Sequence, residues 1–147
     1  VHIVAAVPDQ ILDRARIAAE LLAADPRTRL VFLFGSAADP RRPAPRDLDI
    51  AILTEPSLSL TERLDLRADL VARVGGAIDL VPLNQAQVVL AYEVARTGVC
   101  LYATDPDIAT EFICRALREF WDWQPFLEVQ WRYAGERLEA RQRGAAT

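Results

Sequence analysis

The sequence predicts an α/β fold: a small mixed sheet flanked by helices, followed by a long helical C-terminal tail. Three observations carry this. Apolar side chains recur at helical spacing near the start of the chain, short apolar runs bounded by turn residues follow, and helical periodicity returns after residue 105 and lasts almost to the end.

Asp9 precedes the first helical pattern, in which Ile11, Leu12, Ala15, Ala18, Ala19 and Leu22 share one face; Asp25-Pro26 ends it. The run Leu30-Val31-Phe32-Leu33-Phe34 is continuous, apolar and aromatic, and stops at Gly35, which reads as a buried strand. From Ala37 to Arg46 the chain holds three prolines and three arginines and reads as a loop. Asp47 to Leu53 alternates and then turns apolar, a second strand. Ser59 and Glu62 form a capping box that opens a helix to about Val74, closed by Gly75-Gly76. Ala77 to Leu83 is a third strand with Asp79 in its middle. Ala86 to Thr97 reads as a helix stopped by Gly98, and Val99 to Tyr102 as a short extended segment. Asp105-Pro106 supplies an N-cap with proline at the first helical position. The tail that follows is rich in aromatics from Phe112 to Tyr133. Pro125 is expected to kink or split it, and fraying is expected from about Gln142.

Composition narrows the function classes. A chain of 147 residues is expected to be one domain, 1–147, able to bury roughly 68–70% of its unfolded surface. No apolar stretch reaches the ~20 residues of a membrane span, so no membrane partner is expected. The apolar start, Val1 to Val7, lacks a positive flank and stops at Pro8-Asp9, unlike a secretory signal. Cys100 and Cys114 read as two reduced core thiols, which suits a cytoplasmic protein. Net charge is −4, every basic residue is arginine, mostly interleaved with acids, and lysine is absent. No basic stripe marks a direct nucleic-acid binder. The one histidine, His2, lies at the terminus, which excludes a histidine-based metal site or triad.

The chemistry-bearing residues are three carboxylates and a Gly-Ser pair. Asp47 and Asp49 are two apart at a strand start and point to one face. Asp79 stands between the apolar Ile78 and Leu80. Two carboxylates ~4 Å apart repel by about 4 kcal/mol at an effective dielectric near 20, so a cluster of three needs an arginine or a bound cation. Carboxylate oxygens completed by phosphate are what Mg²⁺ prefers. Gly35-Ser36 directly follows the first strand, where backbone N–H groups and a hydroxyl can cradle a phosphate. Two metal ions at such a site align a hydroxyl and a departing pyrophosphate for in-line displacement.

Phe34-Gly35-Ser36, ten intervening residues, then Asp47-Leu48-Asp49 resembles the signature of polymerase-beta-like nucleotidyltransferases. Ala77-Ile78-Asp79-Leu80-Val81 resembles the strand that carries the family's third carboxylate. The small size resembles the minimal nucleotidyltransferase (MNT) branch, and the tail from Ala116-Leu117-Arg118-Glu119-Phe120 onward is similar to the C-terminal helix of MNT antitoxins paired with HEPN toxins. The resemblance implies a catalytic core over about 10–103 and a helical tail over 106–143 that serves as partner interface. It implies Gly35 and Ser36 as triphosphate ligands, Asp47 and Asp49 as ligands of two Mg²⁺ ions, and Asp79 as ligand of one ion and base toward the acceptor hydroxyl. It further implies AMP transfer from ATP to a tyrosine of a HEPN RNase toxin. Two departures stand out: Ala38, Asp39 and Pro40 replace an expected arginine and glycine, and Arg46 replaces a serine before the first aspartate. Arg46 is placed to steady the triphosphate or to pair with Asp47. Two other functions stay open at this point: a degenerate fold that neutralises its partner by contact alone, and a nucleotidyltransferase acting on a small aminoglycoside-like molecule.

Overall fold

A computed structural model describes residues 9–39, 41 and 47–145. Its elements follow the order α1 (Asp9–Ala23), β1 (Thr28–Phe34), a 3-10 turn (Gly35–Ala38), β2 (Leu48–Thr54), α2 (Leu60–Val74), β3 (Ile78–Pro82), α3 (Val88–Thr97), β4 (Val99–Ala103) and α4 (Pro106–Gly144). The four strands form one mixed sheet in the order β3-β2-β1-β4. β1 is antiparallel to both β2 and β4, whereas β2 and β3 are parallel and joined by α2.

All six apolar positions predicted for the first helix are buried, and they pack with Val31, Leu33, Leu48, Ile50, Ile52, Ile78 and Leu80. α1 and α2 therefore cover one face of the sheet. The other face, with Leu30, Phe32, Phe34, Ala51 and Leu83, packs against Ala91 and Val94 of α3 and Phe112 and Ala116 of α4. Strand alternation divides the residues: even positions of β2 and β3 look to α1 and α2, odd positions to α3 and α4. α2 rests lightly on its side, because Leu70 is its one buried residue.

The helix ends are set by local chemistry. The Ser59–Glu62 capping box forms in both directions, Ser59 N donating to Glu62 Oε2 at 2.8 Å and Glu62 N to Ser59 Oγ at 3.2 Å. Asp105 Oδ1 accepts from Asp107 N at 2.9 Å, with Pro106 at the first helical position.

Three expectations change. α4 stays one helix through Pro125 to Gly144, so of the two expected effects of Pro125 the split does not occur, nor does fraying from Gln142. The carbonyl that Pro125 leaves without an N–H donor belongs to exposed Trp121, where water can take the bond. Both cysteines are free and exposed, not core thiols: Cys100 alternates away from buried Val99, and Cys114 sits on the outer side of α4. The chain from Gly35 to Ala38 is a 3-10 turn, not loop from Ala37 onward. The calls on Val1–Pro8, His2, Pro40 and residues 42–46, Arg46 among them, lie outside the described residues. No helix among the described residues is long and apolar enough to cross a membrane.

Candidate active site

The site stands where three neighbouring strands end at one rim of the sheet. In the parallel pairing Asp49 lies directly beside Asp79, and in the antiparallel pairing Phe34 lies opposite Asp49. Asp79 is the second residue of its strand, not the middle one, and this brings it level with Asp49. Both are odd positions flanked by buried residues: Leu48 and Ile50 around Asp49, Ile78 and Leu80 around Asp79. The core thus fixes the strands from one face while the carboxylates emerge on the other. Asp47 precedes β2 and is exposed, Asp49 is half-buried, and Asp79 is exposed.

The electrostatics show that the carboxylates feel one another. Asp49 titrates above its ordinary value, first because burial disfavours its charge, then because Asp79 and Asp47 repel it. No arginine among the described residues forms an ion pair with any of the three. A cation would relieve this repulsion. The donor set is three carboxylates with no nitrogen or sulfur, which fits a hard ion such as Mg²⁺. Among the described residues the acids do not close on a single point as a finished metal cage. Mg²⁺ does not require one, since it keeps several waters and takes one or two carboxylates together with substrate phosphates.

Gly35 completes the rim. Its φ is +69°, and a Cβ there would overlap Asp49 Oδ2. Backbone conformation demands glycine here, and a side chain would in addition push the Asp49 carboxylate aside. The 3-10 turn that follows presents Ser36, half-buried, on the β1 side of the acids, so the Gly35-Ser36 turn and the carboxylates are adjacent. Asp39, one of the departures from the family pattern, is engaged locally: Arg41 N and Nε each donate to Asp39 Oδ1 at 3.0 Å. Arg41 is thereby tied to the turn.

Sequence reading did not single out Arg63 and Arg67. They stand four apart on α2 and line a groove of about 310 Å³ along β3 together with Asp79. Their helical spacing was the available signal, but only the β2–α2–β3 connection puts that helix at the sheet edge beside an acid.

The comparisons agree with this geometry. The family model "Polymerase beta, Nucleotidyltransferase" matches residues 18–107, from α1 to the start of α4. The protein adenylyltransferase MntA of Shewanella oneidensis is 33% identical over 82 residues, 56% of this chain. That match spans 59% of the length of the curated relative. A solved toxin–antitoxin complex with AMP-PNP contains a chain 28% identical, with a TM-score of 0.63 over 79% of this chain and 96% of the other. The complex of tri-AMPylated Shewanella oneidensis HEPN toxin with MNT antitoxin gives a TM-score of 0.60 at 28% identity, covering 81% of this chain and 96% of the other. With the fold, the rim of carboxylates and a family match over well more than half its length, this chain belongs to the polymerase-beta nucleotidyltransferase family.

Proposed function

We propose that this chain is an MNT-type antitoxin that transfers AMP from ATP to a hydroxyl, in the first place a tyrosine, of a cognate HEPN RNase toxin in the cytoplasm. The observation that carries this reading is the pairing of Asp49 with Asp79 beside Gly35, whose φ of +69° and contact with the Asp49 carboxylate both disfavour a side chain. Support comes from the related complexes, one holding AMP-PNP and another an AMPylated HEPN toxin.

In this reading the catalytic unit is the core over about 10–103, and the helical tail over 106–143 is the partner interface. Gly35 and Ser36, with Arg46, bind the triphosphate. Asp47 and Asp49 would hold two Mg²⁺ ions and Asp79 one of them. Mg²⁺ bound there would supply neutralisation of the charge on the phosphates and leaving group. Asp79 takes the proton of the acceptor hydroxyl. The hydroxyl oxygen forms a bond to the α-phosphorus of ATP as the bond to pyrophosphate breaks, leaving AMP on the acceptor and pyrophosphate free. A second reading, neutralisation by contact alone, is favoured by one observation: the exposed aromatics of α4, which provide a binding surface whether or not the acids act.

Incubating the protein with Mg²⁺, labelled ATP and the product of the adjacent gene, beside an Asp47→Asn, Asp49→Asn variant, separates the two. Label is expected on the partner with the wild-type chain and not with the variant. Neutralisation that persists in the variant, with no label on either protein, would replace the first reading by the second.

A further inference from the structure

The free edge of the sheet beside Asp79 is built differently from the rest of the rim. β3 is an edge strand, and in its parallel pairing with β2 the odd residues turn their backbone groups inward: Leu48 N donates to the Ala77 carbonyl at 3.0 Å and Leu83 N to the Ile52 carbonyl at 2.8 Å. The even residues face outward. Arg67 Nε covers the first of these, donating to the Ile78 carbonyl at 2.7 Å, and Pro82 has no N–H to offer. The edge is thus blunted against strand addition. What remains along it is a groove lined by Arg63, Leu64, Arg67 and residues 79–82.

The groove is polarised. Asp79 belongs to its rim, while two guanidinium groups reach it from α2, which lies on the opposite face of the sheet. Neither arginine pairs with Asp79, and among the described residues no carboxylate forms an ion pair with Arg63. The order across the sheet is Gly35 just after β1, Asp49 on β2, Asp79 on β3, and then the arginines. Two strand spacings, about 9.6 Å, separate the β1 phosphate cradle from β3. The arginines therefore flank the third carboxylate on the side away from the triphosphate, where an acceptor must enter.

Building on the function proposed above, we infer that this groove recognises the acceptor polypeptide, with Arg63 and Arg67 binding an acidic side chain close in sequence to the modified hydroxyl. The hydroxyl faces Asp79 and the carboxylate faces the guanidinium pair, so the two ends of the groove fix the direction in which the segment lies. Leu64 and the aliphatic part of the rim leave room for an apolar or aromatic body between them.

The test uses the full chain and a fluorescent peptide, Glu-Glu-Tyr-Glu-Glu, against a Gln-Gln-Tyr-Gln-Gln control, read by anisotropy at low and high salt. The wild-type chain is expected to bind the acidic peptide in a salt-sensitive manner and to prefer it to the control. Arg63→Glu is expected to weaken binding about fivefold to tenfold, roughly 1–1.4 kcal/mol. Arg63 carries the test because its side chain makes no hydrogen bond among the described residues, and a thermal melt of the variant checks the fold. Arg67→Gln serves as the second variant, since it also frees the Ile78 carbonyl. Equal binding of both peptides, or unchanged affinity in Arg63→Glu, overturns the inference. Displacement of the peptide by ATP overturns it too, by assigning the arginines to the triphosphate. In the transfer assay with the toxin, Arg63→Glu is expected to raise KM for the acceptor and not for ATP. Charge-selective peptide binding without any AMP transfer would sink the enzymatic reading and leave the acidic-segment specificity standing.

Discussion

The two halves of α4 carry the same kinds of side chain and meet opposite fates. In the first half Phe112 and Ala116 are buried, Phe112 lies 5.6 Å from Phe32 between ring centroids, and Phe120 stacks on Tyr92 at 3.7 Å. In the second half Trp121, Trp123, Phe126, Trp131, Tyr133 and Leu138 are all exposed, Trp131 to 67%. Residues 121–144 extend roughly 36 Å at helical rise. Apart from the Trp121 carbonyl opposite Pro125 and the last carbonyls of the helix, their backbone bonds close within the helix and do not call on the body. Its apolar side chains do need one to contribute burial free energy. Trp123, Phe126 and Tyr133 lie on one flank and Leu127, Trp131 and Leu138 on another, an arc too broad for a single contact seam. The first half of α4 holds the domain together; the second is a surface suited to being gripped by a partner.

That contrast breaks or holds on stability measurements. Phe32→Ala in the body is expected to cost about 3–5 kcal/mol in urea unfolding, since Phe32 is fully buried and packs on Phe112. Trp131→Ala is expected to move the same curve by less than ~0.5 kcal/mol. A comparable loss from both would mean that the second half of α4 packs on the body, and the contrast would fail. With the toxin of the proposed pair present the order is expected to reverse: Trp131→Ala with Leu138→Ala should weaken the complex by about 2 kcal/mol, near thirtyfold in Kd, which calorimetric titration would read. Unchanged affinity would move the interface elsewhere.

Gly35→Ala sharpens the contrast from the site's side. Placing an L residue at φ +69° costs about 1–2 kcal/mol, and the new methyl must displace the Asp49 carboxylate. Melting should fall by several degrees and ATP titration should lose its saturable phase. Retained ATP affinity would show that the triphosphate does not rest on this turn.

Much of this was legible in the chain because local signals and the global fold agree. The spacing of Ile11 to Leu22, the Ser59–Glu62 box and the Asp105-Pro106 cap each specify an element alone, and the structure keeps all three. Asp47, Asp49 and Asp79 were found as acids in otherwise apolar strands, where burial makes an uncompensated charge costly. What was misread depended on tertiary context. The cysteines were assigned by their apolar neighbours, yet strand and helix phase put both outside. Pro125 was expected to kink or split the tail, and the helix does not split there because its turn is solvated. Arg63 and Arg67 gave no signal beyond their spacing, because a surface arginine pair acquires meaning only from the strand edge beside it.

The smallest expected effect concerns Asp49 and reports on the cation directly. Its folded titration lies above its ordinary value through burial, then through Asp79 and Asp47. A carboxyl whose pKa rises on folding opposes the folded state once it is charged. Relative to a neutral amide, wild type should therefore lose nothing in acid below the ordinary carboxylate value and should lose stability progressively as pH rises through the raised one. Asp49→Asn is expected to melt with wild type in acid and slightly above it near neutrality, by less than ~1 kcal/mol because the site is half-open and screened by solvent. Mg²⁺ should close the gap: it binds the folded wild type, stabilises it in proportion to occupancy, and finds one ligand fewer in the variant. Melting both proteins across pH with and without MgCl₂ checks this. A variant less stable than wild type at neutral pH without Mg²⁺ would show that the Asp49 carboxylate already has a stabilising partner within the chain, and that the rim of acids is a structural feature before it is a metal site.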